Sequence, residues 1–283
     1  MSLNSVNTNT GAMVALQSLE ATQTALSVTQ KQISTGYRVA DSTDDGAAYA
    51  IAQGIRSTVG ALTSANQQLG NVTGLLTTTQ SGLNNISNMM ASMRDVLVQL
   101  ASGSVGGNDR TNYTAQYQSM LANVKTFVQD AGYNGKTLIG DLTGSTGTFG
   151  RVNVARNEDG ATYGIASFSG SGMFGSISFT STALAGASTG AALITATGTF
   201  LNQQSDVNNE LNTVGSSINY ISHQTSYNTN KIDSLNSGLG SLIDADLAKE
   251  SAQLTALQIR QQLGTQALSL ANQAPQTLLS LFK

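Results

Sequence analysis

A seven-residue period constrains this chain more than anything else in it. Read from Ile51 in alternating steps of four and three, the sequence gives Ile51, Ile55, Thr58, Leu62, Ala65, Leu69, Val72, Leu76, Thr79, Leu83, Ile86, Met90, Met93, Leu97 and Leu100. Only two threonines interrupt an apolar stripe about seven heptads long, and a 3.5-residue period held that far specifies a supercoiled helix seam. The rule repeats at Tyr113, Tyr117, Met120, Val124, Phe127 and Ala131. It returns at Val207, Leu211, Val214, Ile218, Ile221, Thr225, Asn228, Ile232, Leu235, Leu239 and Leu242. Proline, the strongest helix breaker, occurs once, at Pro275.

The region between these seams has a different composition. Of the 29 glycines, 14 fall between Gly132 and Gly198, in a stretch that is also dense in Ser and Thr. Helices on both flanks of such a segment imply a chain that runs out, turns and returns, so that both termini lie at one end. The expected fold is mainly α: a long antiparallel coiled coil or helical bundle with a small central β-hairpin element. Within the middle, residues 152–156, 163–168 and 174–180 alternate in part and are separated by Asn-Glu-Asp-Gly and Gly-Ser-Gly, which are hairpin signals.

The chain ends carry thinner stripes. One consists of Leu16, Leu19, Leu26 and Ile33, diluted by Gln23 and Gln30. The other consists of Leu247, Leu254, Leu257, Leu268, Ala271, Leu278 and Phe282, with Gln261 and Gly264 at two of the expected positions. Glu20 is the only charge in the first thirty residues. A narrow apolar stripe on so charge-poor a surface is left unsatisfied in a lone chain and is completed by partner helices. A helix lying on a membrane would need a Lys/Arg-rich polar face, which is missing.

Composition argues against most chemistry. Charged residues make up 10% of the 283, against about a quarter in an average domain, and the net charge is −3 with Lys and Arg scattered singly. No basic stripe exists to neutralise successive phosphates, so nucleic acid is not an expected partner. Absence of Cys removes disulfides, thiolate metal sites and Cys nucleophiles together. The single histidine, His223, falls between seam residues and faces outward, with no Gly-x-Ser-x-Gly elbow in the chain.

Two local motifs also fail. Gly135-Lys136-Thr137 resembles the end of a phosphate loop, but position 130 is Asp where that motif needs Gly. Asp41, Asp44, Asp45 and Gly46 resemble a calcium loop, but Ala52 stands where it needs Glu. The carboxylates of Asp44 and Asp45 instead suit the free N–H groups of the helix that follows. No catalytic, cofactor-binding or metal-ligating residue is expected, nor is an enzyme. No apolar run approaches the roughly 18 residues that span a bilayer. The opening MSLNSVNTNTGAM lacks the basic and apolar regions of a Sec signal.

The ends resemble those of the bacterial flagellins. ANQAPQTLLSLF closes the matching stretch 252–282, and VNTNT at 6–10, ISTGYRVADSTDDGAAYAIAQGIR at 33–56 and YNGKTLI at 133–139 match on the N-terminal side. The resemblance covers about residues 1–140 and 203–283. It implies a terminal coiled-coil domain (D0) from residues 1–40 with 246–283, and a rod domain (D1) from 41–245 that includes the β-rich Gly/Ser/Thr segment 140–200. Only about 60 residues separate the flanks, so the large outer domains of longer flagellins are expected to be absent.

The implied function is that of a structural subunit of the flagellar filament, a homopolymer built through the terminal helices for swimming motility. The implied interface residues are Leu16, Leu19, Leu26, Ile33, Leu254, Leu257, Leu268, Leu278 and Phe282. Implied partners are the flagellar export machinery and chaperone, and the filament cap and junction proteins, with neither nucleic acid nor membrane among them. The implied location is extracellular, reached by flagellar type III export without a cleaved signal peptide. A hook–filament junction protein shares flagellin-like ends, though with a poorer C-terminal match. A secreted coiled-coil effector or translocator would be helical too, but would carry a long apolar segment.

Overall fold

The stripe that begins near residue 51 folds as one helix, α2 (Gly46–Ala101), in the computed structural model, which describes residues 8–281. Ahead of it lies α1 (Thr10–Thr35), and α3 (Gly107–Asp130) follows. The returning half of the chain supplies α6 (Thr199–Ile243) and α7 (Leu247–Leu281). Two compact units result, one from residues 58–232 and one from the segments before and after them.

In the unit of residues 58–232, Leu62, Leu69, Leu76, Leu83, Met90 and Leu97 form an unbroken seven-residue series with no solvent exposure. Ala65, Val72, Thr79, Ile86, Met93 and Leu100 form a second buried series beside it. Tyr117, Leu121, Val124 and Val128 of α3 and Phe200, Val207, Val214 and Ile221 of α6 close on the same core. Helices α2 and α6 run antiparallel here, since Asn66 meets Asn228 while Ser87 meets Asn208. Thr79 is tolerated inside because its hydroxyl donates to the Leu75 carbonyl of its own helix at 2.9 Å.

The end of α2 is held by a cation. Its last carbonyls have no partner within the helix, and Arg110 in the first turn of α3 donates to the carbonyls of Leu100 at 2.8 Å, Ser102 at 3.1 Å and Val105 at 3.1 and 3.2 Å. The same guanidinium reaches the Leu184 carbonyl at 3.2 Å, so it also holds part of the Gly/Ser/Thr segment.

That segment folds as small pieces. Strands β1 (Gly132–Tyr133) and β2 (Lys136–Thr137) pair through a two-residue Asn134–Gly135 turn with φ of 48° and 75°, the left-handed pair such a hairpin needs. Strand β3 (Thr148–Phe149) joins β2 in parallel. Gly74 of α2 leaves room for Tyr133, whose ring lies 2.6 Å from where a Cβ would stand. Strands β4 (Val152–Ala155) and β5 (Thr162–Ile165) form the expected central hairpin. Residues 174–180 do not join it. They begin inside a helix, α4 (Gly170–Ile177), because Ser169 caps its start and Met173 and Ile177, four apart, bury one helical face. A short α5 (Ala187–Leu193) follows.

In the other unit α1 and α7 lie antiparallel. Asn9 caps α1 by accepting from Ala12 N at 3.0 Å, and its amide donates to the Ala271 carbonyl at 2.7 Å. At the opposite end Gly36 takes φ 74° to end α1, and its carbonyl accepts from Ala245 N at 2.9 Å. Arg38 donates to the Leu242 carbonyl at 2.6 Å. Val39, Ala48, Ala52 and Ile243 make a small core of their own. Ile51, where the periodic reading starts, points outward at 57% exposure, and Ala48 and Ala52 turn in instead.

The two aspartates expected to cap α2 separate in role, and only Asp45 bonds its first turn. Asp45 Oδ1 accepts from Ala47 N and Ala48 N, both at 3.0 Å, at the start of α2. Asp44 turns back into its own loop, accepting from Ala40 N and Asp41 N and from the Lys31 ammonium at 2.8 and 2.9 Å. Lys31 also bonds Asp41 at 2.7 Å. These bonds hold the Asp41 and Asp44 carboxyls below the usual range and raise Lys31.

Two outcomes are expected. Replacing Arg110 by Met orphans the carbonyls it holds and is expected to cost about 2–4 kcal/mol in urea unfolding followed by circular dichroism. A loss under about 1 kcal/mol would mean that water replaces the guanidinium. For the Lys31 clamp, lowered carboxyl values in the fold mean that its stabilisation is present above about pH 4 and fades as pH falls below that. The raised lysine makes the same stabilisation fade only at strongly alkaline pH. Melting curves of Lys31→Met should therefore fall less steeply between pH 5 and acid pH than those of the parent, and identical slopes would remove the clamp as the cause.

Candidate assembly interface

Helices α1 and α7 meet along one seven-residue stripe each. The inward positions of α1 are Ala12, Ala15, Leu19, Thr22, Leu26, Thr29 and Ile33, while those of α7 are Glu250, Leu254, Leu257, Gln261, Gly264, Leu268 and Ala271. Their backbones approach at Gly264, where an added Cβ would stand 3.3 Å from Leu19 Cδ1. Leu19, Leu26, Ile33, Leu254, Leu257 and Leu268 are thus occupied in the contact between the two helices of one chain. Gln23 and Gln30, which diluted the stripe in the sequence, face solvent, and Thr22 and Thr29 take the inward places. Leu16 lies outside the contact, on the exposed face. Leu278 falls within α7 but its side chain, like the whole of Phe282, lies outside the described residues.

Each helix carries a second stripe. Val14, Ser18, Ala21, Ala25 and Val28 follow the same four-three spacing on α1, as do Ala256, Arg260, Leu263, Ala267 and Leu270 on α7. A groove of about 600 Å³ runs between these faces, lined by small residues of α1 and by Leu263, Gly264 and Ala267 of α7. Arg260 is its only charged lining residue. Met13, Val14, Leu16 and Val28 of α1 and Leu247, Ile259, Leu263 and Leu270 of α7 are 45–71% exposed.

So dense a set of large apolar side chains on one helix pair is the feature of a surface that receives further helices. Small residues at Ala21, Ala25 and Ala267 let such a helix come close. The reading of the sequence took the inner stripe and missed the outer one. The signal for it was present, since a helix with two apolar phases of the same seven-residue period has two neighbours to meet. Among the described residues no group of three or more His, Asp or Glu stands ready for a metal ion, and no helix is long and apolar enough to cross a membrane.

The chain is similar to known proteins of one family over most of its length. The family model for the bacterial flagellin N-terminal helical region matches residues 6–143, and that for the bacterial flagellin C-terminal helical region matches residues 197–282. Flagellin FljM of Caulobacter vibrioides is 30% identical over 287 aligned positions, covering 100% of both chains. A flagellin of Brucella melitensis biotype 1 is 33% identical, covering 99% of both. Among solved structures, a putative flagellar hook-associated protein from Vibrio parahaemolyticus aligns with a TM-score of 0.59 at 15% identity, over 71% of this chain and 100% of its own, a likeness of fold alone. With both helical regions matched and relatives aligned end to end, the chain belongs to the bacterial flagellin family.

Proposed function

We propose that the chain is a structural subunit of the flagellar filament, polymerising through its terminal helices into a helical tube outside the cell. The observation that carries this reading is the outer face of α1 and α7, a pair already packed on itself that, among the described residues, still exposes eight large apolar side chains, of which Val14, Val28, Leu263 and Leu270 stand on the outer stripe. A head-to-tail contact that does not close on itself generates a helical polymer, and such a surface suits that contact. Residues 1–40 with 246–283 form the terminal coiled-coil layer in this reading, and 41–245 form the rod. The end-to-end match with flagellins supports it over a junction protein. A translocator would need a long apolar segment, which the described helices lack.

Partners follow from the same reading. The subunit meets its own copies, the cap and junction proteins at the filament ends, and before assembly the flagellar export machinery and a chaperone that covers the apolar stripes. Leu278 and Phe282 continue the C-terminal stripe and serve as anchors in the polymer or in the chaperone.

Because Leu263 and Leu270 are exposed in the lone chain, changing both to Ser should leave its melting temperature where it was. Filament growth, followed by light scattering and electron microscopy, should be lost. Normal filaments from this variant would sink the proposed interface. A second outcome concerns the ends of the chain. Limited proteolysis should trim residues on both termini of dilute subunits and spare them in filaments, and equal protection in both states would contradict folding of the ends on assembly.

A further inference from the structure

We infer that Asn228 is the residue that sets the axial register of α6 against α2. The need for such a residue comes from the repeat itself. Leu62, Leu69, Leu76, Leu83, Met90 and Leu97 recur every seven residues on α2, and Val207, Val214 and Ile221 recur every seven on α6, all buried. Sliding one helix by seven residues, about 10 Å, lays apolar side chains on apolar side chains again. Apolar packing alone therefore does not choose among these registers.

Asn228 is next in the α6 series and has no solvent exposure. Its amide donates to Asn66 Oδ1 at 2.9 Å and to the Arg156 carbonyl at 3.0 Å, and its oxygen accepts from Gln224 Nε2 at 2.9 Å. One heptad to either side of Asn66 stand Val59 and Thr73. Valine offers no acceptor, and Thr73, though its hydroxyl oxygen keeps a lone pair, carries that oxygen one bond closer to the backbone than Asn66 Oδ1 and turned toward the Leu69 carbonyl of its own helix. A slipped register thus buries the Asn228 amide without its partner, which a protein interior resists. Thr79, buried in the neighbouring series of α2, bonds only within α2 and discriminates nothing.

The β4–β5 hairpin reads the same register. Arg156 opens its loop, and the Tyr163 ring of β5 stacks on Tyr220 of α6 with centroids 4.2 Å apart. Tyr163 and Ser217 share a hydroxyl hydrogen bond of 3.2 Å. This inference concerns the single chain and does not depend on what the chain assembles into.

The chain has no cysteine, so introduced pairs report register cleanly. Ser87→Cys with Asn208→Cys joins positions that touch in the observed register. Ser87→Cys with Gly215→Cys, and Gln80→Cys with Asn208→Cys, report slips of one heptad in the two directions. After refolding from denaturant and oxidation, the parent background should link only the first pair. In Asn228→Leu, a slipped pair should gain roughly tenfold or more relative to the native pair. The double exchange Ile221→Asn with Asn228→Ile keeps the composition and moves the amide by one heptad, so it should favour the Gln80→Cys, Asn208→Cys link. Native-only linking in both variants, whether fully helical or in the fraction that folds, would overturn the inference.

Discussion

Burial of one seven-residue repeat is the interaction on which the rest of the molecule depends. Six large side chains of α2, from Leu62 to Leu97, are withdrawn completely from water at equal intervals, and α3 and α6 exist as packed helices because they cover them. At about 25 cal/mol per Å² of apolar surface, burial of this kind is the dominant favourable contribution to a fold. The small strands and short helices of the Gly/Ser/Thr segment add cover at the sides. Tyr117 shows how: its ring is buried in the helical core while its hydroxyl donates to the Ile177 carbonyl at 2.6 Å.

A repeat supplies stability and little else, and the fold's individuality comes from polar groups placed where the repeat stops. Arg110 ends α2 and fixes the turn into α3. Lys31 gathers two aspartates and shapes the loop between α1 and α2. Asp45 then starts α2. In a chain with so few charges, these ions have few competing partners, and three of them define the turns at the two ends of its longest helix.

The helical architecture was legible because a seven-residue period over fifty residues has a single structural meaning. The central hairpin was legible in 152–156 and 163–168, whose alternation is that of a strand. Residues 174–180 were not, since Phe174 and Ile177 fit alternation poorly and three-to-four spacing well, and the deciding Ser169 cap lies outside the run. The inner face of α1 was read one phase off at Gln23 and Gln30 because amphipathicity was sought in large apolar residues, whereas the seam admits Thr22 and Thr29 with Thr29 fully buried. Asp44 and Asp45 are indistinguishable in sequence. Only the fold, which brings Lys31 within reach of the first, separates their roles.

The bond between Asn66 and Asn228 joins residues 162 positions apart. A chain made from its N-terminus can close α2 on α3 across a turn of a few residues long before α6 exists, since local contacts form early and distant ones late. Helix α6, made later, meets a surface whose apolar pattern repeats every seven residues. On this topology the contact that fixes α6 along α2 is among the last the chain can make, so the register of the longest helix is settled only when its far half is in place.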